Sequence, residues 1–367
     1  MALSIFTYQH SDELSAPARA LCPDAAVGNL FQSLPWIETV TPAGVDVGDR
    51  LQFYLVVDDR LGSPPLALLP AVYSRLYGSH PGARVLHFLQ REEQPYEPIG
   101  SSTGVAEGIG SWFDANPKAI DVVRLSPLDP ARGFAAEMIG ALRRHGFWVQ
   151  LYRHARSYYV NVAGMSAREY LAQRSRGLRE SLDLNTRLLL QGGRGEFHFP
   201  CTPELVEDAW GSVCHVVDHA PTEGPADPPH YLRAMLDVAA AAGKLRLGMF
   251  SLDGLPVAMQ LWVVGEGVAR CLRIWSAPQQ QIFPIDDVLT QLMVMCLVDG
   301  DQIDELEFGE MSEEFARDWA PQARERLGVA AFNKRTWRGF RGAVRHIGIQ
   351  LLKSTPPYLW ARLRGRH

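Results

Sequence analysis

The chain has 367 residues, of which 47% are hydrophobic and 21% charged. That balance excludes a disordered, collagen-like or coiled-coil chain, and the length suggests two domains at roughly 150 residues each. The net charge of −5 hides an asymmetry: residues 326–367 hold ten Lys or Arg and no acid, against 26 basic and 41 acidic residues before them. A basic tail on an acidic body meets phosphate-rich partners or membrane surfaces. No run of about 18 uncharged apolar residues exists, so no spanning helix is expected. Residues 1–15 lack the basic-then-apolar pattern of a secretory leader. Five scattered cysteines with no Cys-x-x-Cys pair argue against disulfides or a zinc ribbon and fit a reducing cytoplasm.

In chain order, periodicity predicts a helix over 30–39, opened by Phe31-Gln32-Ser33 with Pro35 in its first turn. Strands follow at 51–58 and 65–75, joined by a turn holding Asp58, Asp59 and Gly62. Then come a strand at 84–89, a loop with Pro95, Pro98 and Gly100, and a short helix near 105–113. A strand at 120–125, a helix over 132–145 and strands at 147–152 and 157–162 complete a first plan. A second plan opens with a helix over 166–190, where Ser166 and Glu169 have capping-box spacing. Gly192-Gly193 stops it. A strand at 195–199 and a helix over 203–218 lead to a hairpin, 244–252 and 256–264, around Asp253-Gly254. A strand at 268–276, a helix over 285–298, a strand at 303–308 and a last strand at 330–336 follow. The hairpins align with each other, as do 84–89 with 268–276 and 120–125 with 303–308. The pattern is a duplicated α/β plan with mixed sheets.

Few motifs carry chemistry outright. Gly100-Ser101-Ser102-Thr103-Gly104 has the spacing of a hydrolase nucleophile elbow, but Pro95-Tyr96-Glu97-Pro98 before it cannot be the central strand that the elbow needs. His215 and His219 share a helix face one turn apart. Without a third ligand or an intervening Glu they read as cleft contacts or a base, and no metal is expected. Arg168, Arg174, Arg176, Arg179 and Arg187 are spread round one helix among acids, as on a solvated face. No phosphate loop or dinucleotide fingerprint occurs, which takes most of the support from the kinase, ATPase and dehydrogenase readings. Over 335–352, Trp337, Phe340, Val344, Ile347 and Leu351 fall on one helical arc and Arg335, Arg338, Arg341 and Arg345 on another. The pattern is that of a basic amphipathic helix, either docked on the acidic body or lying at a membrane interface.

Several segments together resemble a known family: Phe31-Gln32-Ser33-Leu34-Pro35-Trp36, the arginine-rich stretch 174–187 running into Gly192 and Phe197, and Cys214-His215. The 247–258 hairpin, the helix start at 284–289, and Glu307-Phe308-Gly309 followed by Trp319 continue the series. In this order they are similar to the CelD-like GNAT acyltransferases of cellulose and exopolysaccharide biosynthesis, related to the double-unit FemABX transferases. The resemblance implies two tandem GNAT-like units, 1–163 and 164–340, followed by a basic amphipathic tail over 341–367, with the acyl-donor site in the second unit. It places two splayed parallel strands at 268–276 and 303–308, and a pyrophosphate site at the turn from Gln279 to Ile285 ahead of a helix. Trp275, Ser276, Ala277, Gln279 and Ile285 are then donor contacts. Two departures stand out. Asp286-Asp287 follow Phe283-Pro284-Ile285 where the family has a Ser-Pro-Gly-like turn, and Phe315-Ala316 replace a Tyr-Lys pair. Carboxylates at a helix start oppose a bound pyrophosphate.

The function so implied is transfer of an acetyl or longer acyl group, from acyl-CoA or a carrier, to an amine or hydroxyl of a small-molecule or saccharide acceptor. Such chemistry needs a base. His215, His219, Glu307 and Glu310 are the candidates, with Tyr96, Glu97 and Arg273 holding the acceptor. A FemABX-like transferase using aminoacyl-tRNA is the alternative, in which the basic tail would meet tRNA phosphates. A non-catalytic, degenerate GNAT scaffold is the third reading. An acyl carrier protein or tRNA is the macromolecular partner in view, and the 335–367 tail allows peripheral contact with the inner membrane of a cytoplasmic protein.

Overall fold

The computed structural model of the chain describes residues 3–60, 63–77, 80–89, 94–221, 227–277 and 283–354. The first copy runs β1 (Leu3–Tyr8), α1 (Ala16–Arg19), α2 (Thr41–Ala43), β2 (Arg50–Asp58), β3 (Pro65–Tyr77), β4 (His80–Leu89), β5 (Ile99–Gly100) and α3 (Val105–Ala115). It closes with β6 (Val122–Leu128), α4 (Gly133–Arg144) and β7 (Phe147–Asn161). The second has α5 (Ala167–Ala172), α6 (Arg176–Thr186), β8 (Gly195–His198), α7 (Pro203–His219), α8 (Pro229–Ala241), β9 (Leu245–Leu252), β10 (Leu255–Gly265) and β11 (Val268–Ser276). It ends with α9 (Ile285–Val294), β12 (Glu305–Gly309), α10 (Glu313–Trp319), β13 (Gln322–Asn333) and α11 (Trp337–Ser354). The expected α/β class with mixed sheets is what forms.

In each copy two antiparallel hairpin strands are followed by a third antiparallel strand, a helix, and a strand parallel to the third. The strands join one 13-stranded sheet, ordered β1-β2-β3-β4-β6-β13-β7-β12-β11-β10-β9-β8, with β5 on the side of β3. The last strands are exchanged reciprocally. The second copy's β13 lies between β6 and β7, and the first copy's β7 lies between β13 and β12.

Local chemistry explains most boundaries. Asp253 and Gly254 both take positive φ (52° and 81°) and join Leu252 to Leu255 in a two-residue turn, which matches strand twist. The Ser166–Glu169 capping box forms, the Ser166 amide donating to Glu169 Oε2 at 2.8 Å. Other expectations need correcting. The helix over 30–39 is instead a 3-10 turn (Leu30–Gln32) and a π turn (Trp36–Val40), because Ser33 Oγ donates to the Leu30 carbonyl and closes the first turn early. The helix over 166–190 is broken at Ser175, whose hydroxyl accepts from the Leu178 amide and caps a new helix. The strands at 147–152 and 157–162 are one 15-residue strand, and the last strand ends at Asn333 rather than 336. Strand β1 and helices α8 and α10 have no counterpart in the sequence reading.

Candidate active site

Strands β11 and β12 pair in parallel at only three positions: Val268 with Glu305, Ala269 with Leu306, and Arg270 with Glu307. Beyond Arg270, residues 271–276 pair with β10 alone, while β12 continues beside β7. A bulge at Leu272, where Leu261 faces Arg273 and Trp262 faces Cys271, bends β11 at the point of parting. On the other side Phe308 packs edge-on against Trp262 at 5.1 Å and against Phe315 at 6.2 Å, and Phe315 stacks on Trp319. The gap holds a cavity of 380 Å³ walled by Cys271, Arg273, Ile274, Phe308 and Glu310. A neighbouring cavity of 410 Å³, bordered by Ser276, Ala277, Ile285 and Asp318, shares Asp286, Ser312 and Phe315 with it.

At the crotch of the splay, Glu307 is 7% exposed. It accepts from Arg270 Nε at 3.1 Å, Arg326 Nη2 at 3.0 Å and Ser157 Oγ at 2.9 Å. Burial pushes its pKa up, but Arg270, Arg326 and the Ser157 hydroxyl outweigh that and leave it below the usual carboxylate range. A carboxylate so occupied does not serve as a base; it holds the strands at their point of parting. Arg326 also donates to Asp129 at 2.9 Å, tying the two copies together. Glu310 is exposed at the end of β12 and lines the gap.

At the start of α9, Asp286 and Asp287 are both pushed up by burial. Asp287 accepts from the Trp319 indole at 2.8 Å, and Asp286 Oδ1 is buried with no partner. Two carboxylates at a helix start oppose a bound pyrophosphate there. Among the described residues no group of three or more His, Cys, Asp or Glu could hold a metal.

The expected site residues scatter. Ser276, Ala277 and Ile285 border the second cavity, the Ala277 amide donating to the Val257 carbonyl at 2.8 Å. Trp275 packs towards the α7–α8 cluster. Arg273 lines the gap but is paired with Asp227 at 2.7 Å. Gln279 lies outside the described residues. His215 and His219 sit together on the exposed face of α7, rings 4.3 Å apart, His219 Nδ1 against the His215 carbonyl at 2.8 Å. They line none of the cavities described in this section.

Tyr96 and Glu97 belong to a separate pair of cavities. One, of 350 Å³, is floored by Val72, His87 and Arg124 and walled by Phe31, Trp36 and Tyr231. The other, of 380 Å³, shares Gln32 and Glu97 with it and reaches Arg132 and Arg270. Tyr96 is buried, its hydroxyl donating to the Pro70 carbonyl at 2.9 Å, and half-burial pushes Glu97 up. Sequence reasoning missed His87, Arg124, Tyr152 and His154. Burial, with Arg124 adding to it, lowers His87 to about 4. Burial and Arg124 lower His154 while Glu310 pulls it up, leaving it below its ordinary value. Tyr152 lies across Gly328, where a Cβ would sit 2.2 Å from its ring, and receives Arg124 Nη2 at 3.4 Å. The usable signal was a single polar residue interrupting an apolar strand, as His87 does between Leu86 and Phe88, and Arg124 between Val123 and Leu125.

Residues 176–317 match the family described as acetyltransferase (GNAT) domain. No curated protein matches the chain by sequence. The structure is similar to that of FemX, at a TM-score of 0.59 and 10% identity, covering 93% of this chain and 99% of that one. It is also similar to a conserved protein of unknown function from Bacteroides thetaiotaomicron VPI-5482, at a TM-score of 0.50 and 12% identity, covering 77% and 86%. Residues 176–317 thus match a GNAT domain, and the chain shares the fold of FemX along nearly its whole length.

Proposed function

We propose that the protein transfers an acyl group to an amine or hydroxyl of a small-molecule or saccharide acceptor, as a GNAT-type acyltransferase of the CelD-like kind. The supporting observation is the parting of β11 from β12 beyond Arg270, which opens the 380 Å³ gap between them. The gap takes the extended arm of a donor alongside β11. The acceptor nitrogen or oxygen adds to the acyl carbon, and backbone N–H groups at the splay hold the resulting oxyanion. The bond to the leaving sulfur or oxygen then breaks. Glu310, on the wall of the gap, steadies the attacking group, and His154, outside the lining but coupled to Glu310 and held neutral by burial, takes the acceptor's proton through it. The carboxylates at the start of α9 favour a second reading of the donor. An aminoacyl ester on tRNA, which the FemABX resemblance implies, or an acyl carrier protein would not lay a pyrophosphate there.

The exposed apolar side chains of Trp337 and Phe340, stacked at 5.7 Å and joined by Trp148 and Val344 beside Lys334, Arg338 and Arg341, support peripheral contact with an anionic membrane.

Thiol release from acetyl-CoA and loss of the aminoacyl ester from charged tRNA, each with a panel of amines and sugars, test transfer. His154→Gln should cut turnover at least about a hundredfold. The double variant His215→Ala, His219→Ala should leave it near wild type. A protein that binds neither donor is a scaffold, and the proposal fails.

A further inference from the structure

We propose that the 350 Å³ cavity of the first unit binds an organic anion, a carboxylate or phosphate monoester with a compact apolar body, through the Arg124 guanidinium. The volume is within the range of small-molecule pockets. Phe31, Trp36, Val40, Val72 and Tyr231 supply the apolar and aromatic walls. Trp36 and Val40 are the ends of the π turn, a distortion common at functional sites.

Arg124 is the charged group on the floor. It is half-buried, and among the described residues no carboxylate lies within ion-pairing distance of it. Arg84, Arg246, Arg270, Arg324 and Arg326, of similar or deeper burial, are paired with Asp121, Asp301, Glu307, Glu305 and Asp129, and the buried Arg174, which has no carboxylate partner, donates instead to the Tyr170 and Trp319 carbonyls. Its hydrogen bond to the Tyr152 hydroxyl, at 3.4 Å, is long and neutral. A cation withdrawn from water without a counter-ion is costly, and a planar guanidinium matches two oxygens of a carboxylate or phosphate. The imidazole of His87, also on the cavity floor, is held well below its ordinary value by burial first and by Arg124 after it. It therefore adds hydrogen-bonding capacity without competing charge. Asp46, Asp49 and Glu97 also line the cavity without pairing with Arg124, and Asp46 is exposed at the mouth. The anionic end of the ligand points inward, and a cationic or neutral polar end is accommodated at the entrance.

Calorimetric titration of the full chain with phenylacetate, phenyl phosphate and the uncharged phenylacetamide tests this without any need for turnover, so its failure and that of the transfer reaction are separate results. The wild type should bind an anion at least about tenfold tighter than the amide. Arg124→Gln should erase that preference, Arg124→Lys should keep part of it, and Arg60→Gln, on the exposed surface, should not alter it. Preference for phenylacetate assigns a carboxylate ligand, and preference for phenyl phosphate a phosphate ester. Equal affinity for the anions and the amide, no binding of any probe, or a charge preference surviving in a folded Arg124→Gln protein overturns the proposal. Should Arg124→Gln fail to melt cooperatively, the wild-type comparison and Arg124→Lys decide it.

Discussion

The two copies use the same ion pair at opposite ends of the same strand contact. In the first, Arg84 on β4 holds the fully buried Asp121 just before β6, at 2.8 and 3.0 Å, and five residue pairs follow, from Val85 with Val122 to Leu89 with Ser126. In the second, Arg270 and Glu307 are the last of three pairs, and the strands part beyond them. The helices that follow differ in step. The first copy enters α3 through Gly104, whereas α9 opens on Asp286 and Asp287. Duplicated elements can therefore keep their connectivity while the length of one parallel contact decides which copy opens a gap. The closed copy retains a cavity on its flank instead.

The largest expected effect is at the crotch. Glu307→Gln leaves Arg270 and Arg326 buried against a neutral amide, which should cost about 3–5 kcal/mol in urea unfolding. Asp121→Asn, whose carboxylate faces one arginine, Arg84, rather than two, should cost less. Equal losses would show that the crotch has no special standing.

Acidification separates the copies next. His87 takes up its proton near pH 4 in the folded protein against about 6.5 unfolded, so the unfolded state binds more protons across that window. Stability should therefore fall from pH 6.5 towards 4, and His87→Gln should flatten that fall. Glu307, lowered in the fold, contributes stability above its unfolded value near 4.3 and loses it only as pH drops through its folded value. Its variant should be less stable throughout and should change the slope of stability against pH only in the more acidic region. His145 is lowered by burial but raised on balance by Asp114 and Glu107, so it acts oppositely, its stabilisation fading as pH rises. Thermal melts at half-unit pH steps check both.

The smallest effect on stability belongs to α11, which follows the second copy and has no counterpart after the first. It buries Ala343 against Ala330 and Phe332 and leaves Trp337 69% exposed. Trp337→Ser with Phe340→Ser should leave the melting temperature within a few degrees but weaken sedimentation with phosphatidylglycerol vesicles several-fold. Unaltered sedimentation would assign the stripe no part in membrane contact.

The amino-acid sequence by itself determined the duplicated strand plan, the Asp253-Gly254 turn and the Ser166 cap, because each depends on residues within a few positions of one another. It also marked the neighbourhood of Glu97, Ser276 and Glu310. The exchange of β7 and β13 was decided only by tertiary structure, since alternation along a strand is the same whichever neighbour it pairs with. The same holds for the site. The histidine pair at 215 and 219 stands out by helical spacing, yet α7 turns it to solvent. His87, Arg124 and His154 stand alone in separate strands, and only the order β4-β6-β13-β7 gathers them. Burial and charge pairing, which set their chemistry, are properties of that assembly and of no local segment.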